Sequence, residues 1–286
     1  MLERLGAPAR LAVFAAALAL VGGIAALAGA ATGHGRSTTP APGMVMEHLS
    51  SGAQSQANGL AAVAGGYTLA PEQTTLPLGK VSSFRFRILD TQGRPVRRFD
   101  LDGTVRLHLI VVRRDLVGYQ YVHPALQGDG SWATPLTLAA PGAYRVFADF
   151  EVAGEKTVLG SDLFVPGRFA PALLPRVHAT ASTDGYSVSL AHDELRAGRE
   201  TQLHFVVRRN GRPVESFESY IGRRGHLVAL RDGDLSYSHV HPESAGQTGE
   251  IVFHSELPSA GSYRLFLQFK RDGVVHTAPF TVEVAR

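Results

Sequence analysis

The second half of this chain repeats the first, and that constrains it more than any other feature. Gly66-Tyr67 returns as Gly185-Tyr186, Gly93-Arg94-Pro95-Val96 as Gly211-Arg212-Pro213-Val214, and Val122-His123-Pro124 as Val240-His241-Pro242. Gly142-Ala143-Tyr144-Arg145 returns as Gly261-Ser262-Tyr263-Arg264. The offset is 119 positions for Tyr67 and Tyr186, 118 for His108 and His226 and 119 for Tyr144 and Tyr263, so single-residue shifts alone align the two halves. Solenoid repeats run about 20–50 residues, whereas this spacing is that of a whole small domain. The chain is therefore read as two copies of one module, over residues 65–166 and 176–286, joined by the proline-rich stretch 166–175.

Inside each module the hydrophobic period is two. Phe84-Arg85-Phe86-Arg87-Ile88 alternates, Leu203-His204-Phe205-Val206-Val207 alternates or runs apolar, and both are rich in aromatic and β-branched residues. Asn210-Gly211, Asp232-Gly233 and Asp272-Gly273 punctuate these runs as turns. About seven short strands per hundred residues, without helical periodicity after residue 31, predict an all-β fold: two tandem immunoglobulin-like antiparallel β-sandwiches.

Ahead of the modules, Leu11 to Ala31 is an uncharged apolar run behind Arg4 and Arg10, long enough at about 1.5 Å per residue to cross a hydrocarbon core of about 30 Å. Residues 1–31 are expected to be a transmembrane anchor or a signal peptide, with the arginines holding the N-terminal end inside and everything after it exported, either secreted or at the outer face of the membrane. Residues 32–64 read as a flexible linker. Within it Met44, Met46 and His48 are a weak soft-metal cluster, more simply read as linker.

Composition narrows the chemistry. The chain has no cysteine, which excludes disulfides, zinc ribbons, iron–sulfur clusters and thiolate sites. A net charge of +3, with 28 basic residues of which only three are lysine, predicts no nucleic-acid surface. The twelve histidines are where metal chemistry would reside. A two-residue loop at Asp232-Gly233 would set Leu230 opposite Leu235, Val228 opposite Tyr237 and His226 opposite His239, with His241 on the same face. Three such imidazoles suit one divalent ion, copper(II) with zinc as the alternative, and His254 or Glu256 would complete the set. The same arithmetic in the first module sets Tyr121 opposite His108 with His123 diagonal, a weakened or structural site. His34, His178, His192, His204 and His276 are expected to be structural, and Asp100-Leu101-Asp102-Gly103 is a turn rather than a calcium loop.

The stretches LHLIVVRRDLVGYQYVHP and GHLVALRDGDLSYSHVHP resemble a family of exported two-module proteins of actinobacteria, similar to CopC-like and YtkA-like copper-associated sandwiches. The resemblance spans about residues 64–286. In that family the first motif reads Q-H-V-H-P, whereas here Tyr121 follows Gln120, so the second-module positions His226, His239 and His241 are the ones that match. The resemblance implies metal association.

Two functions follow. One is an exported, membrane-associated metal-binding protein, copper being the expected ion. The other is an extracellular immunoglobulin-like interaction or structural module, with an envelope protein as partner and structural histidines. An enzyme is not expected, since no nucleophile elbow, H-E-x-x-H, P-loop or Rossmann motif is present.

Overall fold

The computed structural model describes residues 58–286 except 239 and 244–246, and at His241 the backbone alone. The apolar run 11–31, Met44, Met46, His48, His34 and His239 lie outside the described residues. Among those described, no helix is long and apolar enough to cross a membrane.

The first module contains β1 (Val63–Ala64), β2 (Tyr67–Pro71), β3 (Val81–Leu89), β4 (Leu107–Arg113), β5 (Gln120–Val122), β6 (Ala125–Leu126), β7 (Trp132–Thr137), β8 (Gly142–Val152) and β9 (Glu155–Val165). They form two antiparallel sheets, ordered β1-β2-β3-β7-β6 and β5-β4-β8-β9. Strand β1 falls inside the stretch read as linker, because Ala64 pairs with Tyr67 and extends the sheet edge.

The second module repeats this with β10 (Thr180–Thr183), β11 (Tyr186–His192), β12 (Glu200–Arg209), β13 (Arg212–Pro213), β14 (Gly225–Arg231), β15 (Tyr237–Ser238), β16 (Val240–Pro242), β17 (Glu250–Glu256), β18 (Gly261–Arg271) and β19 (Val274–Val284). Its sheets are β10-β11-β12-β17-β16, with β13 beside β12, and β15-β14-β18-β19.

In each module a four-strand path (β2-β3-β7-β6, β11-β12-β17-β16) faces a sheet with β4 and β8, or β14 and β18, at its centre, which is the ABED and C′CFG arrangement of immunoglobulin-like sandwiches. Both carry that fold's tyrosine corner: Tyr144 donates its hydroxyl to the Ala140 carbonyl at 2.9 Å, and Tyr263 to that of Ser259 at 3.0 Å. The predicted fold is thus found, twice.

Each sandwich has its own core. Phe84, Phe86, Ile88, Leu109, Trp132 and Val146 fill the first, and Phe205, Val207, Leu227, Phe253, Leu265 and Phe280 the second. A third apolar cluster belongs to neither: Ile110, Val112, Leu116 and Phe147 of the first module pack on Val228, Leu230, Leu235, Tyr237 and Phe266 of the second. It explains why β4 is buried along its whole length. Leu107, Leu109 and Val111 face their own core, while Ile110 and Val112 face the other module.

The hairpin register differs from the expectation. Leu230 pairs with Tyr237 and Ala229 with Ser238, in place of Leu230 with Leu235 and Val228 with Tyr237. The loop has four residues, closed by Arg231 N–H donating to the Ser236 carbonyl, with Leu235 at φ +63°. A leucine in the left-handed region costs roughly 1 kcal/mol or more, and burial of its side chain in the third cluster offsets that. The first hairpin has a three-residue loop, closed by Arg113 N–H donating to the Val117 carbonyl, with Leu116 at φ +62°, and Tyr121 stands opposite Ile110 rather than His108.

Candidate functional site

The described histidines of the two motifs meet at the seam between the modules. His108 lies on β4, and His123 follows β5 where the chain crosses from one sheet to the other. His226 lies on β14 of the second module. The ring centroids of His108 and His226 are 6.1 Å apart, and those of His108 and His123 5.5 Å. Tyr121 stands among them, 5.4 Å from His108, 5.2 Å from His123 and 5.7 Å from His226. Tyr220 closes the far side, 5.2 Å from His226 and 6.1 Å from His123.

The hydrogen bonds assign the protons. The Tyr121 hydroxyl and His108 Nδ1 are 2.7 Å apart. Burial pushes the Tyr121 hydroxyl well above its ordinary range, so it is the donor and not a phenolate ligand. The His108 proton therefore sits on Nε2, which faces Asp102 Oδ2 at 3.7 Å. His226 Nε2 donates to the Tyr220 carbonyl at 3.0 Å, leaving a lone pair on Nδ1. His123 Nε2 is buried and has no partner among the described residues.

Charge is concentrated on one carboxylate. Asp102 accepts from Arg223 of the other module at 2.7 Å and lies 3.5 Å from Lys156. The His108 imidazole first, then Arg223 and Lys156, hold its carboxyl well below the usual carboxylate range, against the desolvation that burial imposes. Burial, reinforced by His108, lowers both His123 and His226 to about 4, so both imidazoles are neutral near pH 7. A small cavity of about 50 Å³, room for a water molecule or two, is lined here by Asp102, His108, Tyr121, Asp149, Arg223 and His226.

The apolar part of the seam flanks this polar centre. Tyr119 stacks on Phe266 with centroids 4.0 Å apart and planes 7° from parallel, and Phe147 meets Tyr237 at 5.9 Å. The Tyr237 hydroxyl donates to Asp149 across the seam at 2.9 Å. The turns at 102–105 and 220–223 touch through backbone: a Cβ on Gly103, at φ +63°, would strike the Ile221 carbonyl. Asp100-Leu101-Asp102-Gly103 is thus a turn, as expected, and its role is to dock.

The expected metal set is only partly described. His226 faces the first module, and His239 lies outside the described residues. The backbone of His241 belongs to β16, which leaves the β14 sheet for the opposite one and sets His241 opposite His254 of β17. His226 and His241 are therefore on strands of different sheets, because the chain crosses over between Ser238 and Val240. His254 Nδ1 is 3.0 Å from Glu200, and Nε2 is 3.8 Å from Glu243. Among the described residues no three His, Asp or Glu groups are placed to hold one metal ion.

The remaining described histidines have ordinary partners. His276 Nδ1 is 2.8 Å from Asp184 and His204 Nδ1 2.9 Å from Glu250. His178 and His192 bond carbonyl oxygens through Nδ1. Asp102, Tyr220, Arg223 and Phe266 escape sequence reasoning, since their role depends on one module meeting the other. The available sign was the apolar residues on the off-core face of β4 and β14.

Among curated proteins no sequence match is found. Among solved structures the chain is similar to the adhesin FdeC of Escherichia coli, at 16% identity over 77% of this chain and 64% of that one, with a TM-score of 0.27. This chain thus spans less than two thirds of the adhesin's length. Domains 5–6 of the S-layer protein SbsC and the D0-D1 domain of intimin each match at 13% identity and TM-score 0.23, over 76% of this chain and 96% and 97% of theirs. Residues 61–165 and 181–286 each match the family described as a domain of unknown function, DUF8832, and the chain belongs to that family, carrying two copies of its domain.

Proposed function

We propose that this chain is an exported interaction protein, in which two immunoglobulin-like modules act as one rigid unit and the motif histidines are structural. One observation carries the reading. His108, His123 and His226 are drawn into the seam with Tyr121 and Tyr220, where His108 meets the Tyr121 phenol and the Asp102 carboxylate and His226 bonds the Tyr220 carbonyl, while His123 is held there by its aromatic neighbours. Rigid coupling makes functional sense for a surface protein, because it fixes the directions in which the outward sheets β2-β3-β7 and β11-β12-β17 present themselves. The outer face of the second is polar, with Gln202, His204, Glu250 and His254 linked side by side. The test pairs two measurements on the His108→Ala, His226→Ala double variant. Lowered thermal stability with unchanged copper(II) and zinc titrations supports the structural role; loss of tight metal binding overturns it.

A second reading keeps one specific observation. The register sets His241 opposite His254, and Glu200 and Glu243 flank the His254 ring. If the chain holds copper(II) or zinc, this outer strand pair is the better place, since imidazole and carboxylate donors suit both ions. Weaker copper(II) binding by His254→Ala, measured by calorimetry, would support this reading, and an unchanged isotherm would remove it.

A further inference from the structure

The contacts across the seam occur in reciprocal pairs. Tyr119 and Tyr237 are the same position of the repeat, as are Phe147 and Phe266. Tyr119 on Phe266 and Tyr237 on Phe147 are therefore one contact made twice. His108 meets its own counterpart His226, and Ile110, Val112 and Leu116 share one cluster with their counterparts Val228, Leu230 and Leu235. Position i meeting j while j meets i is the mark of an isologous, self-complementary interface, the kind formed between identical subunits. Here it is formed within one chain.

Residues 166–179 contain no strand, hold Pro166, Pro171 and Pro175, and leave Leu173 almost fully exposed. Fourteen extended residues can reach about 45–50 Å. The join touches the modules at a few points: Asp115 accepts from Ala172 N–H at 2.7 Å while paired with Arg113 at 2.7 Å, Leu174 packs on the seam cluster, and His178 N–H donates to the Thr281 carbonyl at 3.3 Å. Phe169 packs under the Arg113 guanidinium at 5.4 Å.

We propose that the seam also closes between two copies of this chain, the first module of one packing on the second module of its partner, to give an exchanged dimer. Each seam of that dimer contains the same groups as the intramolecular one, so the two forms differ only in the path of residues 166–179 and in chain concentration. The partner for this surface is a second copy of the chain. Nothing in the proposal depends on what the outward sheets bind.

The absence of native cysteine makes the test clean. Asp102 and Arg223 touch across the seam, so Asp102→Cys and Arg223→Cys are made in separate full-length chains. Neither chain alone can form an internal link through a short bismaleimide. The two chains are unfolded, mixed and refolded together over a range of concentrations, then cross-linked, with chains mixed only after refolding as the control. The expected result is a covalent dimer of twice the chain mass that grows with refolding concentration and is absent from the control. Asp115→Ala, which removes one anchor of the join, should raise its yield. Refolded monomers that give no more dimer than the control at any concentration overturn the proposal. Wild-type chain refolded as a mixture of light and isotope-labelled copies needs no substitution, and absence of a mixed dimer by native mass spectrometry overturns it equally.

Discussion

His226 shows what a buried imidazole costs and what it contributes. Unfolded, it titrates near 6.5; folded, burial lowers it to about 4. Between those values the unfolded chain binds a proton that the folded chain refuses, so stability falls as pH drops from about 6.5 to about 4 and then levels. His123 adds in the same direction over the same window. At about 1.4 kcal/mol per pKa unit, the fall is worth at most roughly 3.5 kcal/mol for His226 and less for the more exposed His123, where solvent screens the charge. The predicted outcome is a midpoint for thermal unfolding that declines on acidification through this window, with a flatter profile for His226→Gln; parallel profiles would show that the imidazole stays wet. Gly59 makes a second residue-scale case. Its carbonyl accepts from Arg145 Nε at 3.1 Å and Nη2 at 2.7 Å, and a Cβ there would enter the Phe147 ring. Gly59→Ala should destabilise by about 1–3 kcal/mol, read by urea unfolding. Of the cluster, only the nearness of His108, Tyr121 and His123 was legible, since spacing put them on neighbouring strands; His226 was assigned to a separate set with His239 and His241. Their partners were not, because Asp102, Tyr220 and Arg223 lie far from them along the chain and reach them only through docking.

At the scale of elements, β4 and β14 carry the seam. Each has one face for its own sandwich and a second apolar face for its counterpart. Phe266, on β18 beside β14, is 4% exposed and stacked on Tyr119. Phe266→Ala should cost about 3–5 kcal/mol and split one unfolding transition into two as the modules uncouple; a single transition displaced by less than about 1 kcal/mol would mean that the face is wetter than the packing shows. Strand positions and the turn at Asp232-Gly233 were legible from the period-two pattern. The register was not: an Asp-Gly pair favours a two-residue turn, but burying Leu235 outweighs the local preference and selects a four-residue loop. Because the error amounts to two positions along the strand, the predicted faces survived it while the predicted partners did not.

For the molecule as a whole, the duplication made the architecture readable. Two sandwiches, their join and their class follow from a repeat of about 118 positions with alternating strands. What a repeat leaves open is whether its copies hang apart or clasp, because the surface that decides is apolar in both copies and looks like ordinary core. Here Ile110, Val112, Val228 and Leu230 are each at most 2% exposed, although in separated modules their side chains would lie on an outer sheet face. The most direct measurement is thiol labelling of single-cysteine variants of this cysteine-free chain. Val112→Cys should react orders of magnitude more slowly than Leu173→Cys in the native protein, and reach the same rate only when the chain is unfolded. Native labelling of Val112→Cys as fast as that of Leu173→Cys would contradict a closed seam, and with it the view that these histidines join two modules into one unit.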